Sequence, residues 1–159
     1  MIRIHEKFMA LALEEARRAM GEGEVPVGAV VEHDGEVIAR AHNLREGLDD
    51  PTAHAEMLVL REAARKLGRW RSTGATLFVT LEPCAMCAGA LVLARIDRLV
   101  FGCADPKGGA CGSVFDIVRE PRLNHRIEVV RGVFEEQCQS VLKQFFEERR
   151  AENGAGKRL

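Results

Sequence analysis

Apolar and polar positions along the chain follow two different periods, and these periods separate helices from strands. From Ile4 to Met20, apolar residues recur three or four positions apart, which predicts an amphipathic helix with one buried face. Short apolar runs bounded by glycine, proline or aspartate are typical of strands. On these grounds helices are predicted over 4–20, 53–67, 83–94, 114–119 and 134–152, and strands over 25–33, 36–42, 75–81, 98–103 and 127–133.

The order of these elements predicts the fold class. Asp34-Gly35 lies between the first two strands and is a strong hairpin signal, so these strands are expected to pair antiparallel. The later strands alternate with helices, which favours parallel neighbours. The sequence therefore predicts an α/β fold of three layers, α/β/α, with a five-stranded mixed sheet. It is expected to form one domain over residues 1–152, followed by a disordered tail over 153–159.

Local signals at three element starts add detail to this prediction. Thr52 is a candidate cap for the second helix, and Pro83 occupies a helix start, where its missing N–H group costs nothing. Pro26 and Gly28, near the start of the first strand, indicate a place where the backbone closely meets a ligand or another chain.

Composition narrows the class of protein. The chain has 159 residues, of which 47% are hydrophobic and 30% charged, as expected of a folded globular protein. Its formal net charge of −1 does not by itself indicate a nucleic-acid partner. The first residues carry no secretion signal, and the longest apolar runs are too short to span a bilayer. Five cysteines without such a signal favour reduced thiols and metal ligation over disulfides, and hence the cytoplasm.

Two short segments carry the candidate chemistry. His54 and Glu56 lie at the start of the second predicted helix, and Cys84 and Cys87 lie at the start of the third. Side chains three positions apart share a helix face, so both sulfurs can reach one ion, and the helix dipole favours their thiolate forms. One imidazole and two thiolates make three ligands of a tetrahedral zinc ion. The fourth position then stays open for water, as in catalytic zinc sites.

Glu56 is the candidate proton carrier. On a regular helix its side chain would point away from that of His54, but in the first turn both can converge beyond the helix end. A carboxylate there can accept a proton from water and return it to a substrate. Hydrolytic deamination requires this, because water adds to an amidine-like carbon, a ring nitrogen gains a proton and ammonia leaves. His-x-Glu followed by Pro-Cys-x-x-Cys is the pattern of zinc nucleobase deaminases.

Each part also allows a simpler interpretation. Cys84 and Cys87 alone would suit a redox pair of the thioredoxin type, and Glu56 alone would be an ordinary first-turn acid that complements the helix dipole. A structural zinc ion with a fourth protein ligand is another alternative, for which the candidates are Cys103, Cys111, His125 and Cys138. The three cysteines in that set are otherwise expected to be small buried residues.

Further segments extend a family resemblance over nearly the whole chain, from about Ile4 to Arg150. They comprise 25–30, Asn43, 50–56, 80–90, 101–102, Asp105, Lys107, 124–126, 145–146 and 149–150. In these segments the chain resembles the cytidine deaminase-like superfamily and, within it, the bacterial tRNA-specific adenosine deaminases. The zinc motif is typical of the whole superfamily, whereas Asp-Pro-Thr, Asn-His-Arg and the final Phe-Phe and Arg-Arg pairs are typical of the tRNA branch.

The resemblance implies a homodimer that converts the wobble adenosine of an arginine tRNA anticodon to inosine. It implies that His54, Cys84 and Cys87 bind one Zn²⁺ per subunit and that Glu56 shuttles protons. It also implies a set of substrate contacts. Asn43 would hydrogen-bond the target nucleoside, Pro26 and Val27 would wall its pocket, Asp105, Lys107 and Asn124 would line the path of the flanking nucleotides, and Phe145, Phe146, Arg149 and Arg150 would contact a splayed nucleotide and the phosphates.

Other interpretations of these residues stay open. Phe145 and Phe146 lie about 100° apart on a helix, so one is expected to be buried and the other available. Arg149 and Arg150 follow two glutamates and would also suit a salt-bridged, solvated helix face. The alternative activity is that of a free-base or nucleoside deaminase of guanine or cytosine type. A catalytically silent, zinc-stabilised partner subunit is a third hypothesis, against which the presence of Glu56 argues.

Overall fold

The computed structural model describes residues 2–156. A short 3-10 helix, Ile117–Arg119, precedes the last strand. The α-helices are α1 Ile2–Gly21, α2 Ala55–Leu67, α3 Ala85–Leu93 and α4 Glu135–Gly156, and the strands are β1 Gly28–His33, β2 Glu36–His42, β3 Ala75–Leu81, β4 Arg98–Cys103 and β5 Glu128–Arg131.

The five strands form one mixed sheet in the order β2-β1-β3-β4-β5. β1 pairs antiparallel with both β2 and β3, whereas β3, β4 and β5 run parallel. The turn at Asp34-Gly35 brings His33 opposite Glu36, as the hairpin signal predicted. The carboxyl ends of β2, β3 and β4 consequently lie at the same edge of the sheet as the amino end of β1. We call this edge, where residues 25–27, 43, 82–84 and 104–107 join the sheet, the site edge.

Helices cover both faces of the sheet. α1 and α4 pack on one face, where the rings of Phe8 and Phe78 lie 5.1 Å apart. α2 and α3 pack on the other face, where Val59 and Leu91 join Leu77 in a second buried cluster. β3 lies between these layers and is buried on both sides, as its nearly continuous apolar run predicted. The predicted three-layer α/β/α fold is thus confirmed.

Both helices that carry the chemical motifs begin two residues later than the sequence predicted. Thr52 is not the cap of α2, because its N–H and its hydroxyl both donate to the Asp50 carboxylate in a tight turn. α3 is shortened in the same way, since Cys84 is extended, with ψ of 177°, and Pro83 lies before it. His54 and Cys84 therefore occupy the positions immediately before the two helices.

β1 begins at Gly28 and not at residue 25, because the N–H of Val27 is used in a tight turn with the Val25 carbonyl. Pro26, between them, has no N–H to offer a neighbouring strand. The close backbone approach predicted here is made with α1. A Cβ atom on Gly28 would lie 2.0 Å from the carbonyl oxygen of Ala12, so only glycine lets the strand and the helix pack at this distance.

The last third of the chain departs further from the predicted bounds. The helix expected over 114–119 is reduced to the turn Ile117–Arg119, and β5 is shorter than the predicted strand over 127–133. α4 continues to Gly156, so residues 153–156 are helical, contrary to the prediction that a disordered tail begins there. The rest of that predicted tail lies outside the described residues.

Candidate active site

The predicted metal ligands lie together at the site edge. His54, Cys84 and Cys87 each offer one ligand atom, and these atoms all lie within 4.8 Å of one another. The Nδ1 atom of His54 is 3.7 Å from the sulfur of Cys84 and 3.5 Å from that of Cys87. A tetrahedral zinc ion, with bonds of about 2.3 Å to sulfur and about 2.0 Å to nitrogen, separates these two atom types by about 3.6 Å. The donor set therefore fits a metal ion of this size.

Two helix starts position the three ligands. His54 and Cys84 are the capping residues of α2 and α3, but neither caps its helix with its side chain, and Cys87 lies one turn into α3, fully buried. Asn43, from the loop after β2, caps α2 instead, because its Oδ1 atom accepts the N–H of Ala55 at 2.8 Å. The imidazole of His54 therefore remains available to bind the same ion as the two cysteine sulfurs.

Electrostatics within this group favour a bound cation. Hydrogen bonds from Cys87 and His54 lower the pKa of the Cys84 thiol to about 3. The Cys84 sulfur in turn raises the pKa of Cys87, together with burial, and it also raises the pKa of His54. One thiolate is thus available without a metal. A cation can displace the protons that the other two groups retain, since metal ligands bind in their deprotonated forms.

Glu56 lies beside this group, in the first turn of α2. Its side chain is only 4% exposed. Burial raises the pKa of its carboxyl to about 7, although hydrogen bonding and the nearby His54 oppose the shift. A buried carboxyl that interacts with His54 and Cys87 is well placed to exchange protons with a ligand bound at the three donor atoms.

A fourth protein ligand, as in a structural zinc site, does not occur within the described residues. The five cysteines are free thiols, and the His54 nitrogen lies beside both Cys84 and Cys87, which favours a metal group over a redox pair. His125 contacts the carbonyl of Ile96 at the opposite edge of the sheet. The remaining candidates Cys103, Cys111 and Cys138 are buried as expected, and burial raises the pKa of each thiol.

Asn43 lies beside the candidate metal ligands, because it caps the helix that follows His54. Asn43 is 6% exposed, and its backbone N–H donates to the carbonyl of Val27 at 3.2 Å. This hydrogen bond joins the backbones of Asn43 and Val27; Pro26 and Val27 are both buried, and neither lines the two pockets described below. Because Oδ1 of Asn43 already accepts the Ala55 N–H, its amide NH₂ group is the part that remains for a ligand.

A groove of about 780 Å³ runs along α4 from the site edge. It collects five of the residues that the sequence singled out for substrate binding, and an adjoining pocket of about 280 Å³ connects it to Asn43. Of the five, Asp105 partly shapes its own loop, because its Oδ1 atom accepts the N–H groups of Lys107 and Gly108. The five predicted residues in the groove are Asp105, Lys107, Phe146, Arg149 and Arg150.

The two adjacent phenylalanines of α4 differ in exposure, as the helical geometry predicted. Phe145 is 6% exposed and Phe146 is 47% exposed, with the two rings edge to face at 5.4 Å. Arg149 stacks over the Phe145 ring and donates to the Gly23 carbonyl at 2.6 Å. Arg150 makes no hydrogen bond or ion pair with the described residues, so its guanidinium group is available in the groove.

Asn124 lies away from this groove, although the resemblance grouped it with Asp105 and Lys107. Its neighbour His125 is within 2.6 Å of the Ile96 carbonyl oxygen, and Ile127 donates to Val118, which places the segment near the starts of β4 and β5. The length of β3, seven residues, separates that edge from the metal ligands by roughly 20 Å. Within one chain, Asn124 therefore does not line the same path as Asp105.

Sequence reasoning missed two buried carboxylates at the site edge. Glu24 and Glu82 are each 2% exposed. Glu24 accepts the N–H groups of Glu46 and Gly47, which fixes the loop that follows Asn43. Nothing in a sequence distinguishes such residues from surface acids, although Glu82 directly precedes the Pro-Cys motif. The groove also contains Lys143 and Asn153, and the adjoining pocket contains Arg45.

Among residues 2–156, none of the helices combines the length and the apolar character needed to cross a bilayer.

Comparisons with known proteins agree with this geometry. The family model of the MafB19-like deaminases matches residues 4–150. The tRNA-specific adenosine deaminase of Bacillus subtilis (strain 168) is 54% identical over 153 residues, which cover 96% of this chain and 95% of the relative. That of Aquifex aeolicus (strain VF5) is 50% identical, over 91% of this chain and 95% of the relative.

A solved structure leads to the same family. It comes from a study of A-to-I editing by tRNA:A34 deaminases at the wobble position of transfer RNA. It superposes with a TM-score of 0.83 at 49% identity and covers 86% of this chain and 99% of the other. The resemblance found in the sequence is therefore confirmed. The chain belongs to the MafB19-like deaminase family, in the group of the tRNA-specific adenosine deaminases.

Proposed function

We propose that this protein is a zinc-dependent hydrolase that converts adenosine 34, the wobble base of an arginine tRNA anticodon, to inosine. The observation that carries the proposal is a His-Cys-Cys metal group with a buried glutamate beside it. Asn43, which caps the helix after His54, also lines a pocket that adjoins a groove with an exposed aromatic ring and several basic side chains. The close relatives that are named for the same activity support it. Its proposed substrate would place its work in the cytoplasm.

His54, Cys84 and Cys87 would hold one Zn²⁺ per subunit and leave the fourth coordination position open. When bound, the zinc ion supplies a Lewis acid that makes water a nucleophile near neutral pH. Nitrogen and sulfur donors in tetrahedral spacing are the set that zinc prefers, and no fourth side chain among the described residues competes for the open position.

Glu56 would carry the proton through the reaction. Water adds to C6 of adenine, and Glu56 takes the proton that the water loses and passes it to N1 of the ring. The same carboxyl then delivers the second proton of the water to the departing amine. The C6–N bond breaks, ammonia leaves, and the oxygen of the water becomes the carbonyl oxygen of inosine. The burial of Glu56 keeps bulk water from competing for these protons.

Asn43, Pro26 and Val27 would hold the base. The amide NH₂ of Asn43 donates a hydrogen bond to an acceptor atom of the nucleoside, since its oxygen is committed to Ala55. Pro26 and Val27 form an apolar wall against the face of the base. A loop nucleotide must leave its stack to enter such a pocket, and single-stranded RNA loops are recognised in this splayed form.

The groove along α4 would bind the rest of the anticodon loop. Phe146 offers an exposed ring on which a splayed base can stack, while the buried Phe145 supports it from below. Arg149, Arg150 and Lys107 would meet the phosphates, and Asp105 a flanking nucleotide. Asn124 remains a predicted RNA contact only if it reaches the RNA by a route outside this groove.

We further propose that the protein acts as a homodimer. α3 carries no charged residue, and it leaves Leu93 70% exposed and Met86 36% exposed; Val114 and Phe115 are also exposed. Such an apolar surface suits a second copy of the chain. Light scattering after gel filtration should give twice the mass of one chain. Leu93→Glu should yield monomers, whereas Leu123→Glu, an exposed leucine elsewhere, should not.

A substrate comparison tests the activity. Wild-type protein loaded with zinc is incubated with an anticodon stem-loop that contains A34, with the same stem-loop containing guanosine at 34, and with free adenine, guanine, cytosine and their nucleosides. Inosine should form only in the A34 stem-loop. Turnover of a free base without inosine in the stem-loop would instead identify a small-molecule deaminase.

The variant Glu56→Ala separates catalysis from metal binding. It should retain zinc by elemental analysis and lose deamination by a factor of at least a thousand, because the proton route is removed while the ligands stay. Full activity in this variant would refute the proton role. A wild-type protein that binds zinc and turns over no substrate would support the silent-subunit hypothesis.

A further inference from the structure

A buried carboxylate that the mechanism does not use lies two residues before the first cysteine ligand. The Oε1 atom of Glu82 accepts the N–H of Asp105 at 3.1 Å and the hydroxyl of Ser113. Its Oε2 atom accepts the N–H of Cys111 at 3.0 Å and that of Ser113 at 3.1 Å. A carboxylate offers about four acceptor positions, so these four donors saturate it. All four come from one segment, residues 105–113, which we call the clasped loop.

The clasped loop closes over Glu82 because Gly109 has no side chain. A Cβ atom on Gly109 would lie 2.3 Å from the carboxyl carbon of Glu82, in the place that the carboxylate fills. The backbone of Gly109 also forms an isolated antiparallel bridge with Cys84, and Ala110 donates to the carbonyl of Pro83 at 2.8 Å. The loop is thus fastened at once to Glu82 and to the segment that contains the metal ligand.

Both ends of the proposed substrate site depend on the position of this loop. Asp105 and Lys107 lie at its start and line the groove along α4. Gly109, in its middle, lies against Cys84 beside the metal group. The loop has no helix or strand of its own, and nine residues without regular structure are held mainly by the hydrogen bonds that they make. Its position in the molecule therefore depends on Glu82.

We propose, on the basis of the function proposed above, that Glu82 is a positioning residue. It holds the clasped loop so that Asp105 and Lys107, the proposed RNA contacts, keep a fixed distance from the backbone of Gly109 beside Cys84. Glu82 touches neither the metal nor the base. It acts through Asp105, Lys107 and the backbone at Gly109, and its loss should affect RNA binding more than metal binding.

The variant Glu82→Gln tests this with little change in shape. A glutamine keeps one acceptor oxygen and turns the other into an NH₂ donor, which then faces either two backbone N–H groups or the N–H of Asp105 beside the Ser113 hydroxyl. Glu15→Gln is the matched control. Glu15 is also buried, at 4% exposure, and it lies on α1, where Arg40 and His42 of β2 hold it away from the clasped loop.

Four measurements are compared in wild type and both variants: zinc content, melting temperature, kcat and KM for the A34 stem-loop, and the rate of tryptic cleavage at Lys107–Gly108. In Glu82→Gln, cleavage at this bond should accelerate at least tenfold because the loop opens locally. KM should rise about tenfold while kcat falls less and zinc is retained. Glu15→Gln should lower the melting temperature and leave the cleavage rate and both kinetic constants near those of wild type.

Ser113→Ala gives a second, milder test in case Glu82→Gln does not fold. It removes one of the four donors, and it should shift cleavage and KM in the same direction by about threefold. The proposal is overturned if cleavage at Lys107–Gly108 and KM stay at wild-type values in both variants, or if zinc is lost without faster cleavage. The cleavage assay needs no substrate, so a failure of the proposed function would appear separately, as wild-type protein that does not deaminate the stem-loop.

Discussion

Phe145 and Phe146 are neighbours in the same helix, yet replacing each with alanine should change different properties. Phe145 is 6% exposed, so Phe145→Ala leaves a cavity beneath α4. Such truncations cost about 3–5 kcal/mol of the free energy of unfolding. For a protein of this size, about 2–4 °C of melting temperature is lost per kcal/mol, which predicts a drop of about 6–20 °C. The loss should be at the upper end, because Arg149 also stacks on the Phe145 ring.

Phe146→Ala should affect RNA binding and leave stability nearly intact. Phe146 is 47% exposed, so its partial burial contributes only about 1 kcal/mol to folding. Stacking of one base on an aromatic ring contributes about 1–3 kcal/mol to binding single-stranded RNA. The KM for the A34 stem-loop should therefore rise about 5-fold to 150-fold, with kcat changed much less.

The assay measures thermal unfolding and stem-loop kinetics for Phe146→Ala, Phe145→Ala and Phe145→Leu. Leucine keeps most of the buried volume, so Phe145→Leu should lose about 1 kcal/mol of stability and keep KM within about threefold of wild type. Equal KM increases in Phe145→Leu and Phe146→Ala would refute the assignment of Phe146 as the stacking ring. An unchanged KM in Phe146→Ala would remove the groove along α4 from the RNA path.

Three further predictions concern the candidate metal ligand Cys87, the protonation of His42 and the buried carboxylate of Glu24. Cys87→Ser should weaken zinc binding by orders of magnitude, since a protonated hydroxyl replaces a thiolate, and unchanged zinc in elemental analysis would contradict this. Burial alone would lower the pKa of His42, but the hydrogen bonds that its ring donates to the carboxylates of Glu15 and Glu22 raise it above its usual 6.5. The stabilisation from His42 is then complete below pH 6.5 and is lost as pH rises through the higher folded-state pKa. The difference in unfolding free energy between wild type and His42→Gln should shrink over that range in denaturant titrations, and a constant difference would disprove it. Glu24→Gln should cost about 1–3 kcal/mol and lower kcat/KM, because one of the two oxygens that accept from the loop after β2 becomes an NH₂ donor; a stability loss with unchanged kcat/KM would limit Glu24 to folding.

The parts of the fold that depend on local pattern were predictable from the sequence. β2, β3 and β4 have the predicted bounds, because a hairpin signal and continuous apolar runs define them without reference to the rest of the chain. The metal group was predictable for the same reason, since its residues lie in two short motifs at helix starts. The error of two residues at the start of α2 arose because its cap comes from elsewhere in the chain. Asn43 caps α2 from 12 residues away, which no local pattern reveals.

The loops of the site were less predictable, because their positions depend on contacts between distant segments. Glu82 accepts hydrogen bonds from residues 23–31 positions further along the chain, so its burial follows only from the finished fold. The position of Asn124 also follows only from the finished fold. The resemblance grouped it with Asp105 and Lys107, but the turn before β5 carries it to the other edge of the sheet.

The candidate metal ligands and the residues proposed to bind RNA are held in place by different parts of the fold. The candidate metal ligands lie at the starts of α2 and α3, which pack on the core, and Cys87 is buried within α3. Some of the residues proposed to contact RNA lie on α4, whereas Asn43, Asp105 and Lys107 lie on loops, and one buried carboxylate, Glu24 or Glu82, holds each of these two loops. A change at either carboxylate can therefore move the RNA-binding surface relative to the metal without removing a ligand. We therefore expect substitutions at Glu24 or Glu82 to shift substrate preference, although neither residue is proposed to touch the metal or the RNA.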